Sequence, residues 1–326
     1  MNRTQLPGTG LSVSPLCLGV MSLGTTIPEG DCFALLDRFV ALGGNFLDTA
    51  RIYSDWEPGE KRRSERILGD WLQARGHRVR LVLATKGAHA FIESLQTPRT
   101  SAAEIRDDLE GSLRTLRTDI IDLYWLHRDD VTRPVGHFVD LLNTFVREGK
   151  IRTFGGSNWS AARLRGANDY AKKSGQQGFS ANQPLWCLGS AQARPFPYPG
   201  LLKFDPAAYQ FHRETGLAVV PYTAQAKGFY TKLARPPADL TENIFHTPPN
   251  VAAAAVAGGI AQQRGVNLSA IVLAYLWSRP FPVIPIVGCR TIAQLDDCVA
   301  ALSVRLTAAE LAALESASQS GLPAEI

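Results

Sequence analysis

The sequence predicts an α/β protein folded as a closed (β/α)8 TIM barrel. Three observations carry that prediction. Eight short, apolar, β-rich runs recur along the 326 residues, helical patterns separate them, and no linker divides the chain. Alternation of this kind gives a parallel sheet with helices packed outside it. Barrels of this class reach such a length as one domain, so residues 1–326 are expected to form one.

The runs fall at residues 16–20, 45–49, 81–85, 121–126, 153–157, 179–183, 218–222 and 283–287. Most are apolar throughout, as strands covered on both faces require. Residues 31–42 place Phe33, Leu36 and Val40 at helical spacing and stop at Gly43 and Gly44. Residues 101–116 open with Ser101 and Glu104 in a capping box. Helical stretches at 160–174, 205–215 and 251–264 follow. Helices at 292–302 and 307–316 close the chain, the last opening with a second capping box, Thr307 and Glu310. A doubly wound sheet is the alternative architecture. It would want G-x-G-x-x-G after the first run, whereas Gly8 and Gly10 precede that run and lack the third glycine. Two long loops, 187–203 and 228–250 (the latter with Pro236, Pro237, Pro248 and Pro249), have the length of functional loops.

Composition excludes several classes. Hydrophobic residues make up 45% and charged residues of both signs 20%, which excludes a disordered chain. The net charge is +4 and no basic run exceeds Lys61, Arg62 and Arg63, so no nucleic-acid partner is expected. Five cysteines, Cys17, Cys32, Cys187, Cys289 and Cys298, form no C-x-x-C pair, which reads as a reduced chain without a zinc site. The histidines show no H-x-x-H spacing, and no metal is expected. No signal-peptide core and no stretch of about 18 apolar residues is present, so the expectation is a soluble cytoplasmic protein with no membrane partner. Nothing in the sequence fixes the oligomeric state.

In such a barrel the active site lies where strands end and βα loops begin. The second run ends at Asp48 with Tyr53 in its loop, the third at Lys86, the fourth at His127, the fifth at Ser157 and Asn158, the sixth at Gln183 and the seventh at Tyr222 and Thr223. Asp, Tyr, Lys and His thus end consecutive units and meet at one mouth. A free tyrosine, with a pKa near ~10, is too weak an acid at neutral pH. Lys86 is expected to lower the Tyr53 pKa, Asp48 to hold Lys86 charged, and neutral His127 to donate to a substrate oxygen. Charge growing on a carbonyl oxygen under hydride attack would meet Tyr53 and His127 together.

These residues resemble the aldo-keto reductases, and the resemblance covers nearly the whole chain. LPGTGLSVSPLCLG is similar to that family's N-terminal β-hairpin and first strand, and Asp48, Tyr53, Lys86 and His127 fall on its catalytic tetrad. PYTAQAKG resembles its pyrophosphate loop, with Gln225 where leucine is commoner. IPIVGCRTIAQLDDC resembles its adenosine-phosphate segment, with Cys298 where asparagine is usual. The resemblance implies a nicotinamide dinucleotide, bound before substrate, across the barrel mouth by Met21, Asp48, Ser157, Asn158, Gln183, Tyr222, Thr223, Gln225, Lys227, Gly228, Gly288, Arg290, Gln294, Asp297 and Cys298. Tyr222 would stack on the nicotinamide. Arg290 could pair with a 2′-phosphate, so NADP(H) is expected ahead of NAD(H).

Around the mouth, Asp55, Trp56, Arg128, Asp129, Trp159 and Trp186, with Phe229 or Tyr230, are the candidate substrate contacts. Rings interleaved with charged groups suit a polyhydroxylated substrate, and a sugar or sugar derivative is expected before an aromatic aldehyde or quinone. The alternative function is a nucleotide-sensing regulatory protein on the same barrel, as in the channel β-subunits that resemble this family.

Overall fold

Along each barrel strand, alternate side chains point inward, so one parity fills the barrel and the other faces the helices. The computed structural model describes residues 1–189, 192–193, 200–234, 240 and 242–325. Its strands are β1 (Thr4–Gln5), β2 (Ser12–Val13), β3 (Cys17–Gly19), β4 (Phe46–Asp48), β5 (Val82–Gly87), β6 (Ile121–Leu126), β7 (Ile151–Ser157), β8 (Ala181–Gln183), β9 (Ala218–Val219) and β10 (Ile286–Val287). Its helices are α1 (Glu29–Ala41), α2 (Arg63–Arg75), α3 (Ala102–Leu116), α4 (Val135–Arg147), α5 (Ala161–Lys173), α6 (Pro206–Thr215), α7 (Phe229–Leu233), α8 (Pro248–Arg264), α9 (Leu268–Trp277), α10 (Ile292–Ala300) and α11 (Ala308–Ser318).

Strands β3 to β10 form one parallel sheet in the order β10-β3-β4-β5-β6-β7-β8-β9. The remaining seam closes through single bonds: Val219 N–H to Pro282 O at 2.9 Å, Ile284 N–H to Val219 O at 2.8 Å and Ile286 N–H to Pro221 O at 2.9 Å. Pro221, Pro282 and Pro285 explain why β9 and β10 are only two residues long where the apolar runs predicted five. A proline ring has no N–H to give to the ladder.

The inward parity reads Cys17, Phe46, Val82, Ala84, Leu123, Trp125, Ala181, Ala218, Val220, Ile284 and Ile286, with Leu6 and Val13 from the antiparallel β1–β2 hairpin in the same cluster. The outward parity, including Leu18, Leu47, Leu83, Tyr124, Leu126 and Phe154, packs under the helices. Both capping boxes form: Ser101 N–H bonds Glu104 at 3.1 Å, and Thr307 N–H bonds Glu310 at 2.7 Å.

Four helices, α2, α4, α7 and α9, were not singled out in the sequence. The apolar spacing of α2 (Ile67, Leu68, Trp71) and α4 (Phe138, Val139, Leu142, Phe145) is amphipathic. By contrast α9 is buried on every side from Ser269 to Leu276 and so shows no periodicity. Helices α7 and α8 occupy both ends of the stretch expected as a loop at 228–250, while Pro236 and Pro237 lie outside the described residues. Among the described residues no helix is long and apolar enough to cross a membrane, and no cluster of three potential metal ligands occurs.

Candidate active site

Adding two to each inward residue of the core layer gives the next layer up: Gly19, Asp48, Lys86, His127, Gln183, Tyr222 and Gly288. The strand period therefore carries the polar residues to the mouth of the barrel, directly above its apolar filling. Lys86 is almost fully buried and its ammonium has three acceptors. They are the Asp48 carboxylate, the Thr49 carbonyl at 2.8 Å and the Tyr53 hydroxyl at 2.9 Å. Gln183 Nε2 donates to the other Asp48 oxygen at 3.1 Å. The His127 ring stands edge-on to that of Tyr53, centroids 5.9 Å apart. These contacts unite the four residues that sequence reasoning had placed together.

Burial sets the protonation states. It works against the Lys86 charge, but Asp48 and Tyr53 outweigh it and hold the ammonium above its usual range. Burial pushes Asp48 upward and Lys86 pulls it back, so the pair is retained as an ion pair by mutual contact. The expected lowering of the Tyr53 pKa is corrected by the structure. Burial raises it, and Lys86 and then Arg128 offset only part of that. Tyr53 thus keeps its proton at neutral pH, which suits a donor. His127 is driven well below its usual range by burial, then by His89, Arg128 and Lys86, and is neutral.

The amide and hydroxyl groups of the next strands are already organised. Ser157 Oγ donates to Gln183 O at 3.0 Å. Asn158, in the left-handed region at φ 60°, donates Nδ2 to His127 O at 3.2 Å. Its Oδ1 accepts from the Tyr222 hydroxyl at 2.7 Å and from Leu202 N–H at 3.1 Å. Beyond Tyr222, Thr223, Ala226, Lys227 and Gly228 all adopt positive φ, 59°, 49°, 53° and 76°. Left-handed residues of this sort build concavities that bind anions through backbone N–H groups. Across the seam Gly288 and Arg290 are exposed, and Arg290 N–H bonds Gln294 Oε1 at 2.8 Å. Asp297 accepts from Asn267 at 2.8 Å. Cys298 is buried, its sulfur 3.8 Å from Cys289 and 3.7 Å from Gln225 Oε1, and so links α10 to the 223–228 loop. Met21 is 46% exposed beside β3. The left-handed loop and the exposed Arg290, which makes no ion pair among the described residues, fit a dinucleotide.

The substrate candidates divide. Trp56 is 41% exposed with its ring 6.4 Å from that of Tyr53, and Arg128 lies half-buried beside Tyr53 and Tyr222. The other four are removed from the mouth. Asp55 is buried, accepting from Arg62 N–H at 2.8 Å and from Arg51 at 3.3 Å. Asp129 is held by the fork of Arg163 at 2.8 Å on both oxygens. Trp159 is wedged among Phe138 and Phe179, and Trp186 stacks on Phe204 at 4.1 Å. Phe229 and Tyr230 are buried in α7. Guanidiniums nearer than any substrate capture the carboxylates, and the large rings gain more from the apolar layer than from water.

One residue was missed. His89 packs its ring 4.7 Å from that of His127, and burial followed by Arg128 pushes its pKa down to about 4. Its Nδ1 lies 2.7 Å from Ala90 O, an acceptor only, so Nδ1 carries the proton. The turn that aims it runs through Ala88 at φ 62°, whose N–H bonds Asp108 at 3.0 Å. A left-handed alanine leaves no mark in the sequence, although a histidine three residues past Lys86 was visible.

The chain is similar to known proteins. The Aldo/keto reductase family model matches residues 15–319. Norsolorinic acid reductase stcV of Emericella nidulans is 33% identical over 330 residues, covering 96% of this chain and 80% of its own length. Aryl-alcohol dehydrogenase GME11368 of Pestalotiopsis microspora is 28% identical over 332 residues, covering 96% and 81%. In structure, the thermostable aldo-keto reductase Tm1743, crystallised with the inhibitor epalrestat, superposes with a TM-score of 0.72. It is 21% identical, with 97% of this chain and 100% of that chain covered, which shows the fold.

Proposed function

The chain belongs to the aldo/keto reductase family, an oxidoreductase family working with nicotinamide cofactors, and on that premise we propose that it is an NADP(H)-dependent reductase of aromatic carbonyl compounds. The observation that carries the reading is the Lys86 ammonium bonded at once to Asp48 and to the Tyr53 hydroxyl, 2.9 Å away, beside a neutral His127.

A bound nicotinamide dinucleotide supplies the hydride. Thr223, Gln225, Lys227 and Gly228 would hold its pyrophosphate, Gly288, Arg290, Gln294, Asp297 and Cys298 its adenosine phosphate, and Met21, Ser157, Asn158, Gln183 and Tyr222 its nicotinamide end. The residues of this chain then manage the proton. Tyr53 holds a proton at its hydroxyl and releases it to the substrate oxygen as charge grows there. Lys86 stabilises the phenolate left behind, and Asp48 keeps Lys86 oriented. Neutral His127 donates a hydrogen bond to the same oxygen. Asp48, Lys86 and His127 are buried, which strengthens each of these interactions.

For the substrate, the exposed Trp56 ring supports an aromatic carbonyl, and two relatives carry names in this sense, norsolorinic acid reductase and aryl-alcohol dehydrogenase. A sugar would need hydroxyl-binding carboxylates, and Asp55 and Asp129 are committed elsewhere. Arg290 supports NADP(H) over NAD(H). All five cysteines are free, in keeping with work in a reducing compartment. The test follows the absorbance of NADPH with aryl aldehydes, aryl ketones and aldoses. Aromatic carbonyls should be reduced with higher kcat/KM than aldoses. No turnover by protein that binds NADPH would overturn the reading.

A further inference from the structure

Among the described residues, the buried or half-buried guanidiniums are matched to carboxylates, with one exception at the active site. Arg51 and Arg99 share Asp108, Arg163 grips Asp129, and Arg279 meets Glu315 at 2.6 Å. Arg128 has no such partner among the described residues. Its one hydrogen bond runs from Nη1 to the carbonyl of its own neighbour, His127, at 2.8 Å. A guanidinium has five N–H donors, so most of this fork is unspent. The groups it faces are the hydroxyls of Tyr53 and Tyr222 and the rings of His127 and His89, all neutral, and its charge is among the causes that keep both histidines so. Gly200, at φ +72°, lies against the stem, where a side chain would come within 3.3 Å of Arg128 Cδ. The fork is thus held at the mouth, partly stripped of water, with a positive charge and no counter-charge among the described residues. Such a charge is costly until an anion meets it, and a planar fork suits an anionic oxygen pair.

We propose that Arg128 is a specificity-determining residue that selects carbonyl substrates bearing an anionic oxygen group, a carboxylate or ionised acidic phenol, near the reacting carbonyl. This rests on the reductase reading and names its substrate class more closely. The group binds in ground and transition states alike, so the preference is read mainly in KM.

The test uses the full-length protein with NADPH and the three carboxybenzaldehyde isomers, each paired with its methyl ester. The wild type should favour at least one acid over its ester by roughly ten- to a hundredfold in kcat/KM, the range of a charge-assisted contact. Arg128→Met should bring that ratio near one, and Arg128→Lys should keep part of it as a point charge. Melting temperature and NADPH affinity report whether each variant is folded. Absence of any acid preference in the wild type overturns the proposal while leaving the reductase reading intact if the esters are reduced. So does an equal loss on acid and ester in Arg128→Met. A matching loss of NADPH affinity would assign Arg128 to the cofactor instead. Reduction of neither acid nor ester removes both readings.

Discussion

Replacing Lys86 with methionine keeps most of the side chain's volume and removes its charge. The ammonium lies 2.9 Å from the Tyr53 oxygen. At an effective dielectric of about 20, a full charge pair at that separation interacts by roughly 6 kcal/mol. If about half of the phenolate charge has developed in the transition state, roughly 3 kcal/mol of stabilisation is lost, about a hundredfold in kcat. Two readouts separate this from general damage. NADPH affinity, followed by fluorescence quenching, should stay near that of the wild type. In the reverse direction, alcohol oxidation needs the phenolate as base. Lys86 favours that form, so its loss moves the Tyr53 pKa further up and shifts the rising, acid-side limb of the oxidation profile to higher pH. The substitution also strands the buried Asp48 carboxylate with Gln183 at 3.1 Å, a cost of about 3–5 kcal/mol in stability. The double variant Asp48→Asn, Lys86→Met should recover the melting temperature without recovering turnover. A kcat loss below tenfold with an unmoved rising limb would refute the electrostatic account.

Tyr53→Phe removes the hydroxyl and leaves the ring, so kcat should fall by roughly 10²–10⁴ with NADPH affinity little changed, and steady-state kinetics on any accepted carbonyl checks it. Arg290→Ala should weaken NADPH by about ten- to a hundredfold and barely alter NADH, as read by titration of each; equal weakening would place Arg290 away from the 2′-phosphate. His89 and His212 are both pushed down to about 4 by burial. Unfolded histidine titrates near ~6.5, so between those values the unfolded chain binds more protons. This contribution is complete above about pH 6.5 and is lost as pH falls toward about 4, up to roughly 3 kcal/mol per histidine. Urea unfolding across that window should show the decline, and a flat curve would contradict the neutral assignment.

The tetrad was legible because strand parity is a local property. Once Phe46, Ala84 and Trp125 face inward, Asp48, Lys86 and His127 must follow them two residues later. The phosphate role proposed for the 223–228 loop came from the resemblance alone, since nothing in TAQAKG announces left-handed backbone at Thr223, Ala226 and Lys227. Four of the six candidate substrate contacts are committed to other partners, for a different reason. Position in a βα loop does not say which way a side chain turns, and Asp129 is taken by Arg163, 34 residues away along the chain. Trp159 and Trp186 are large enough that burial decides their direction. Strand lengths were overestimated wherever a proline interrupted an apolar run. Helix α9 escaped because a helix buried all round looks like any apolar run.

Barrel closure joins the two ends of the chain: Ile286 lies opposite Cys17, and Val287 opposite Leu18. A chain emerging from the ribosome therefore makes β3 early and must keep one side of it unpaired until the segment around Ile286 has been synthesised. The tetrad is complete by His127, yet the Arg290 segment arrives only with the closing strand. An unclosed intermediate would hold the proton-transfer residues without a nucleotide site, and with open strand edges that invite pairing between chains. A dinucleotide bound across the seam as proposed would recognise only the closed form, so its presence during refolding should raise the yield of native protein by mass action on the last step.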